Sequence, residues 1–415
     1  MDKDTIKSTL NKVFESFPYE EFCKIVTDAK VDKYVKKLKI VKLLYILVVA
    51  QIMQTESLKE LADMIVQDKN LQKALNLSSI SASTLSRRIR HIHHDLWAQT
   101  FSILSCHVTR SMTSKVNCEP KDYRINIIDA STISLCLKKY LWADFRSTKA
   151  GIKLHQRIVL HDGHSYPDKA TLTPAKPADK SQMDELINTA PDALNVFDRG
   201  YVDYKKWDGY CKEGVRFVSR LKANAIVDVI QSETIQTNSS LITESIVVLG
   251  NPNATRMKYP LRLFETYDGQ GNKIIIVTND FSLDALEITE IYRLRWQVEL
   301  FFKWIKQHLK VKKFFGTSPN AVYGQIWIAL ITFCLLRLLQ KNLPATKTLL
   351  EVMRAVKQYL YQPFIELFEI LGREPTKTSC GRRSLSYQKE FYILLQDLAV
   401  NDSSFLNDIS LELYA

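Results

Sequence analysis

Apolar residues recur every three or four positions in Phe14–Ile25 and Leu38–Met53, and glycine and proline are nearly absent before residue 115. That period predicts a helical opening region. Ser57-Leu-Lys-Glu60 opens one helix as a capping box. After a turn around Asn76–Ser79, Ile80–Arg90 predicts a second capped helix, rich in arginine. Near Tyr123 the pattern shifts to β-branched runs. Tyr123–Asp129, Thr132–Leu137 and Gly151–His161 predict three strands of a meander, with Asp129 ending the first. Tyr166–Lys180 carries proline and lysine and predicts a loop; Ser181–Asn188 predicts a helix. Leu194–Asp198 predicts the next strand, followed by Arg199-Gly200-Tyr201 and a helix from about Val202 to Glu213. Gly200 is read there as the residue that allows a sharp turn. Residues 215–280 are strand-like, and Asp268–Asn272 predicts a hairpin turn.

One long helix is then expected through Phe281–Lys306, with Ser282 as its N-cap. At about 100° per residue, Tyr292, Arg295, Glu299 and Lys306 share an arc of about 60°. Lys303, Lys310 and Lys313 extend that face. Leu294, Val298, Phe301, Ile305 and Leu309 form the opposite, apolar stripe. An amphipathic surface helix explains the periodicity by itself. A lone carboxylate within a row of cations also suits a site for a hard divalent cation and a phosphate backbone. Beyond it, Val322–Leu339 predicts a buried helix, and residues 344–371 are helical with a break near Pro363. Arg373–Ser386 reads as a basic loop, followed by one more helix and a short acidic tail.

Composition narrows the class. The chain has 415 residues, 46% hydrophobic and 25% charged, which suits two or more globular domains. The formal net charge of +12 is compatible with a polyanionic partner. Seven cysteines without a Cys-x2-Cys pair argue against a disulfide framework and a zinc knuckle, and fit a reducing cytoplasm. Leu43–Ala50 and Ile326–Leu336 are too short to span a bilayer, which takes roughly 20 residues. His91, His93 and His94 are read as surface or phosphate-contacting residues, with no acidic partner at ligand spacing.

Tyr292-x2-Arg295-x3-Glu299-x6-Lys306 resembles the Tyr–Arg–Glu–Lys signature of the bacterial insertion-sequence transposases of the Asp-Asp-Glu type, in the branch of the fourth insertion-sequence family. Asp198-Arg-Gly-Tyr201 resembles the family's second signature, and Gly151–His155 its third strand. The resemblance implies a ribonuclease-H-like α/β catalytic domain with a β-rich insertion, an all-helical N-terminal domain and C-terminal helices. It implies domains at 1–118 (DNA binding), 119–221 with 281–345 (catalytic), 222–280 (insertion) and 346–415 (helical). Asp129, Asp198 and Glu299 become the catalytic carboxylates, holding Mg²⁺ or Mn²⁺, two ions, with Asp129 bridging. Tyr292, Arg295, Lys306, Arg199, Lys303, Lys310, Arg87 and Arg88 become DNA contacts. Arg87 and Arg88 lie on the second helix of a candidate helix-turn-helix. The implied activity is cut-and-paste transposition by a homodimer acting on the element's terminal repeats and target DNA, in a bacterial cytoplasm at the nucleoid. No tryptophan lies in 221–280, where some relatives use one to hold a flipped base; Phe264, Tyr259 or Tyr267 could stack in its place. A non-transposing ribonuclease-H-like nuclease and a catalytically silent DNA-binding protein are the alternative readings.

Overall fold

The computed structural model describes residues 7–113, 123–146, 148–161, 164–236, 241–267, 273–343 and 347–373. The hairpin turn expected at 268–272 and the tail beyond Arg373 lie outside these residues. The chain divides into two compact units: Met1–Tyr201 with Leu294–Arg373, and, among the described residues, Val202–Arg293.

The first unit opens with helices α1 (Thr9–Val13), α2 (Tyr19–Asp28), α3 (Ile40–Met53), α4 (Leu58–Gln67), α5 (Lys69–Leu75), α6 (Ala82–His91) and α7 (His94–Thr113). Caps follow the sequence: Ser57 accepts from the Glu60 N–H at 3.1 Å, and Ser81 from the Thr84 N–H at 3.2 Å. The Glu60 carboxylate reaches back to the Glu56 N–H rather than to Ser57, one residue beyond the expected box.

The sheet of this unit contains β1 (Arg124–Leu135), β2 (Asp144–Arg146), β3 (Lys149–His161) and β4 (His164–Pro174). After the short α8 (Met183–Leu186) comes β5 (Ala193–Phe197). The order is β4-β3-β1-β5, with β1 antiparallel to β3 and parallel to β5, and β2 a short antiparallel partner of β3. All five residues of β5 are buried, as a covered parallel strand requires. Two expectations are corrected here. The first two predicted strands are one, because Ala130, Ser131 and Thr132 continue the ladder opposite His155, Leu154 and Lys153. Asp129 is thus a mid-strand residue. The predicted loop at 166–180 is largely β4. Pro167 is tolerated because the register against β3 shifts at Arg157/Ile158, a bulge where a missing N–H costs little.

The second unit holds α9 (Tyr204–Glu213), then β6 (Arg216–Arg220), β7 (Val227–Gln236), β8 (Leu241–Leu249), β9 (Leu261–Tyr267), β10 (Lys273–Thr278) and α10 (Ala285–Arg293). Its strands run antiparallel in the order β6-β10-β9-β8-β7. Asp203 caps α9, and Gly214, at φ 70°, ends it in the left-handed region that glycine enters freely. Phe264 is fully buried, which removes it as a stacking platform; Tyr259 and Tyr267 are exposed.

The first unit resumes with α11 (Trp296–His308), α12 (Pro319–Lys341), α13 (Leu349–Tyr359) and α14 (Phe364–Gly372). The single helix expected through Tyr292 and Glu299 is two, because Leu294–Arg295 forms a turn between α10 and α11. Ser282 does not cap α10; its hydroxyl donates to Asp280, and Asp284 accepts from the Glu287 N–H at 2.7 Å. Helix α12 is long and apolar enough to cross a bilayer, but 94% of its apolar stretch is buried inside the protein. It packs against α3, α6 and α7, so the N-terminal helices share a core with the sheet-bearing half of their unit. Gly324 makes that packing close: a Cβ there would sit 3.2 Å from Trp97 of α7.

Candidate active site

Three separated stretches supply the carboxylates. Ile128 of β1 pairs with Phe197 of β5 in parallel register, so Asp129 and Asp198 follow side by side. The Asp129 carboxylate accepts from its own strand at the Ala130 N–H, 2.7 Å away. Asp198 accepts from the Gly200 N–H at 2.9 Å, and its carbonyl from the Tyr201 N–H, turning the chain into a 3₁₀ turn at Arg199–Tyr201. The turn does not depend on glycine geometry: Gly200 has no positive φ, and a Cβ there meets nothing.

Glu299 comes from α11. Val298, Phe301, Phe302 and Ile305 are buried, and Phe301 and Trp304 meet the Phe333 ring of α12 edge-on at 5.0 and 5.1 Å between centroids. Each buried phenylalanine contributes about 1.5–3 kcal/mol. That anchoring presents the opposite side of α11 to β1. There Arg295 reaches both acids, with Asp129 at 3.3 Å and Glu299 at 2.8 Å. Arg295 is itself buried, and its guanidinium lies over the Trp296 ring at 5.7 Å.

The charges are tense. Burial pushes the Asp129 carboxyl up to about 7, against the pull of Arg295 and of the Ala130 N–H; Asp198 and Glu299 push it further up. Burial likewise raises Glu299, again offset by Arg295, with Asp198 adding to the rise. One guanidinium therefore neutralises part of a three-acid cluster.

Of the other expected DNA contacts, the structure keeps some in solvent and ties others down. Arg87, Arg199 and Lys303 are exposed. Arg88 is held inside the fold, donating to Asp32 at 2.9 Å and to the Val31 carbonyl at 3.1 Å, so it fastens α6 to the loop before α3. Lys310 and Lys313 pair with Glu56 at 3.5 and 3.2 Å. Tyr292 lies half-buried on α10, in the second unit, and not on the Glu299 helix. Lys306 is half-buried rather than solvated: its ammonium donates to the Thr132 carbonyl of β1 at 3.0 Å, and burial lowers its pKa. Lys306→Met is therefore expected to destabilise the protein by about 1–3 kcal/mol, the scale of losing a charged hydrogen bond. A urea midpoint equal to the parent's would return Lys306 to the solvated face.

A polar network stands beside the cluster. Lys153 and His155 of β3 face Asp179, with the Lys153 ammonium 2.8 Å and the His155 Nδ1 3.9 Å from its Oδ1. His155 Nε2 meets the Thr173 hydroxyl at 2.9 Å, and burial pushes the imidazole down to about 4. The Tyr201 hydroxyl is buried and among the described residues finds no hydrogen-bond partner; burial, then Asp129, Asp179 and Asp198, hold it well above a free phenol. The sequence signal is the stretch Gly151–His155, which resembles the family's third strand and in which Lys153 and His155 alternate. His93, His94 and Asp95 also gather: Asp95 stands 3.1 Å from His93 and 3.3 Å from His94, so an acidic partner exists where none was expected.

Two acids on adjacent parallel strands and a third on a late helix, around a β4-β3-β1-β5 sheet, define a ribonuclease-H-like catalytic fold. Comparison with known proteins narrows that class. A family model described as the transposase DDE domain matches residues 120–335, and one described as a domain of unknown function matches 5–75. A protein of Sinorhizobium fredii named as transposase y4zB is 30% identical over 59% of this chain and 67% of its own length. One of Geobacillus stearothermophilus, named as the transposase of insertion sequence element IS5377, is 29% identical over 61% and 66%. One of Synechocystis, named for element IS4SA, is 23% identical over 70% and 82%. A cryo-EM structure of the piggyBac transposase synaptic complex with hairpin DNA aligns over 96% of this chain and 85% of its own, at 13% identity and a TM-score of 0.45. The chain belongs to the transposase DDE domain family of bacterial insertion sequences. It is thus a DNA transposase, an enzyme that cuts and joins DNA strands, and its family works with divalent metal.

Proposed function

We propose that the chain moves its own insertion sequence by cut-and-paste transposition, with Asp129, Asp198 and Glu299 as the metal ligands. The observation that carries this reading is the gathering of three carboxylates from β1, β5 and α11, two of which, Asp129 and Glu299, share one guanidinium, while Asp198 lies beside Asp129 on the adjacent strand. The donor set fits a hard divalent cation, Mg²⁺ or Mn²⁺, because it is all oxygen and under-neutralised. Arg295 supplies one positive charge against three carboxylates, leaving room for two ions, with Asp129 between its partners. Bound metal would sharpen an attacking hydroxyl and ease departure of the leaving oxygen. The protein's own share is orientation. Arg295 holds Asp129 and Glu299 in register, and Lys306 fixes α11 to β1. Arg199, Lys303 and Arg87 are free to meet phosphates, and Tyr292 is assigned to the DNA as well. The terminal repeats of the element and target DNA are the substrates, and two copies would bring two ends together.

The test is one incubation of the purified chain with DNA carrying the element's end and with a target plasmid. Divalent-dependent cleavage followed by joining to the plasmid is expected. Cleavage without joining would favour the nuclease reading, and binding without cleavage the silent DNA-binding protein; either overturns the proposal.

A further inference from the structure

A second basic feature of the first unit lies away from the carboxylates. A notch of about 290 Å³ opens between α6, the segment after β1, and the turn before α12. Arg90 comes from α6, Lys138 and Lys139 from the segment after β1, and Trp142 and Thr317 close the sides, with Ser86 at the edge. Among the described residues no acidic one lines it. The three cations are exposed, and among the described residues none has an ion pair or side-chain hydrogen bond. That separates them from Arg88 and Lys310, which the fold has already neutralised. The wall is built firmly: the Trp142 indole donates to the Thr317 carbonyl at 2.8 Å and packs edge-on against Tyr323 at 5.3 Å. Three like charges held around one hollow repel each other unless an anion enters.

We infer that this notch grips the phosphate backbone of the element's end, at a fixed distance from the reacting phosphodiester. The inference rests on the proposed function and adds a place to it. β1 carries both features: Asp129 lies mid-strand, and the strand runs on to Leu135, just before Lys138 and Lys139. Six residues of strand at about 3.4 Å each place the far end of β1 about 20 Å from Asp129, so the notch and the carboxylates would meet a bound duplex at different base pairs. Arg90 stands two residues beyond Arg88 on the same helix, so α6 touches the DNA through this wall.

The experiment uses the full chain and end DNA, with binding followed by fluorescence anisotropy at several salt concentrations. Lys138→Ala/Lys139→Ala is expected to weaken binding about tenfold to a hundredfold near 0.1 M salt. The log–log salt slope should fall by about two, one for each phosphate left without its lysine. Both side chains are exposed, so the fold should survive, and Lys138→Arg/Lys139→Arg should bind like the parent. A second arm replaces single phosphates of the end by neutral methylphosphonates. The parent should lose affinity at particular positions away from the cut bond, and the double Ala variant should lose nothing further there. Unchanged affinity and slope in the double variant, while the parent binds and cuts, would overturn the notch alone. A parent that neither binds nor cuts end DNA would overturn both the notch and the function it rests on.

Discussion

Glu299→Gln is expected to reduce divalent-dependent strand cleavage by about a hundredfold to a thousandfold or more, the scale of removing one electrostatic element from a reacting centre. The fold should not notice. Gln keeps the shape, and its carbonyl can still accept from Arg295, which now donates to Glu299 at 2.8 Å. Burial already disfavours the Glu299 charge, so deleting that charge costs little, and stability should stay within about 1 kcal/mol of the parent. Binding of end DNA should persist or tighten, because one negative charge facing phosphates is gone. A gel shift and a cleavage assay on one preparation read both effects. If the Gln variant cuts as fast as the parent, Glu299 is not a ligand and the carboxylate cluster is not the reacting centre.

The carboxylates were legible because each stood in a distinctive local setting. Asp198 followed a short strand, Leu194–Phe197, and preceded Arg-Gly-Tyr, and Glu299 stood alone among cations at helical spacing. Residue type and period carry such settings directly. What escaped depended on partners distant in sequence. Lys306 shared the Glu299 face on a helical wheel, yet its ammonium meets a carbonyl of β1, 174 positions away. Arg88 looked like a recognition residue until Asp32 claimed it. No wheel reports a neighbouring strand or loop. The break at Leu294–Arg295 escaped for another reason: neither glycine nor proline marks it, and apolar spacing continues across it. Asp129 was placed at the end of one strand with a second starting at Thr132, whereas pairing with β3 holds Ala130, Ser131 and Thr132 extended in a single strand. Tertiary pairing overrode local preference there, as it commonly does in sheets.

Without divalent metal, the stability of this protein should depend on pH through groups of opposite sign. The Asp129 carboxyl is raised from 3.8 to about 7. The unfolded chain ionises it freely, while the folded chain resists, so its contribution is fully present below 3.8 and is lost as pH rises through 7. That contribution is on the order of a few kcal/mol. Glu299 is raised as well and acts in the same direction. His155 is lowered from 6.5 to about 4. Its contribution is present above 6.5 and is lost as pH falls through 4, on the order of 3 kcal/mol. Between pH 4 and 6.5 the two oppose each other, and the parent's own curve hides both. Single variants separate them. Asp129→Asn should lose stability relative to the parent on acidification, because the His155 loss is no longer offset. His155→Gln, which can keep a hydrogen bond to Thr173, should gain relative to the parent over the same window. Urea midpoints at pH 4, 5, 6 and 7 in chelator provide the measurement. Adding Mg²⁺ at pH 8 should then raise the parent's midpoint and leave that of Asp129→Asn nearly unmoved, since ion binding stabilises only a chain that can hold the ion. Curves for both variants that run parallel to the parent would mean that neither group is strained by its burial, and that the cluster lacks the charge tension a cation would relieve.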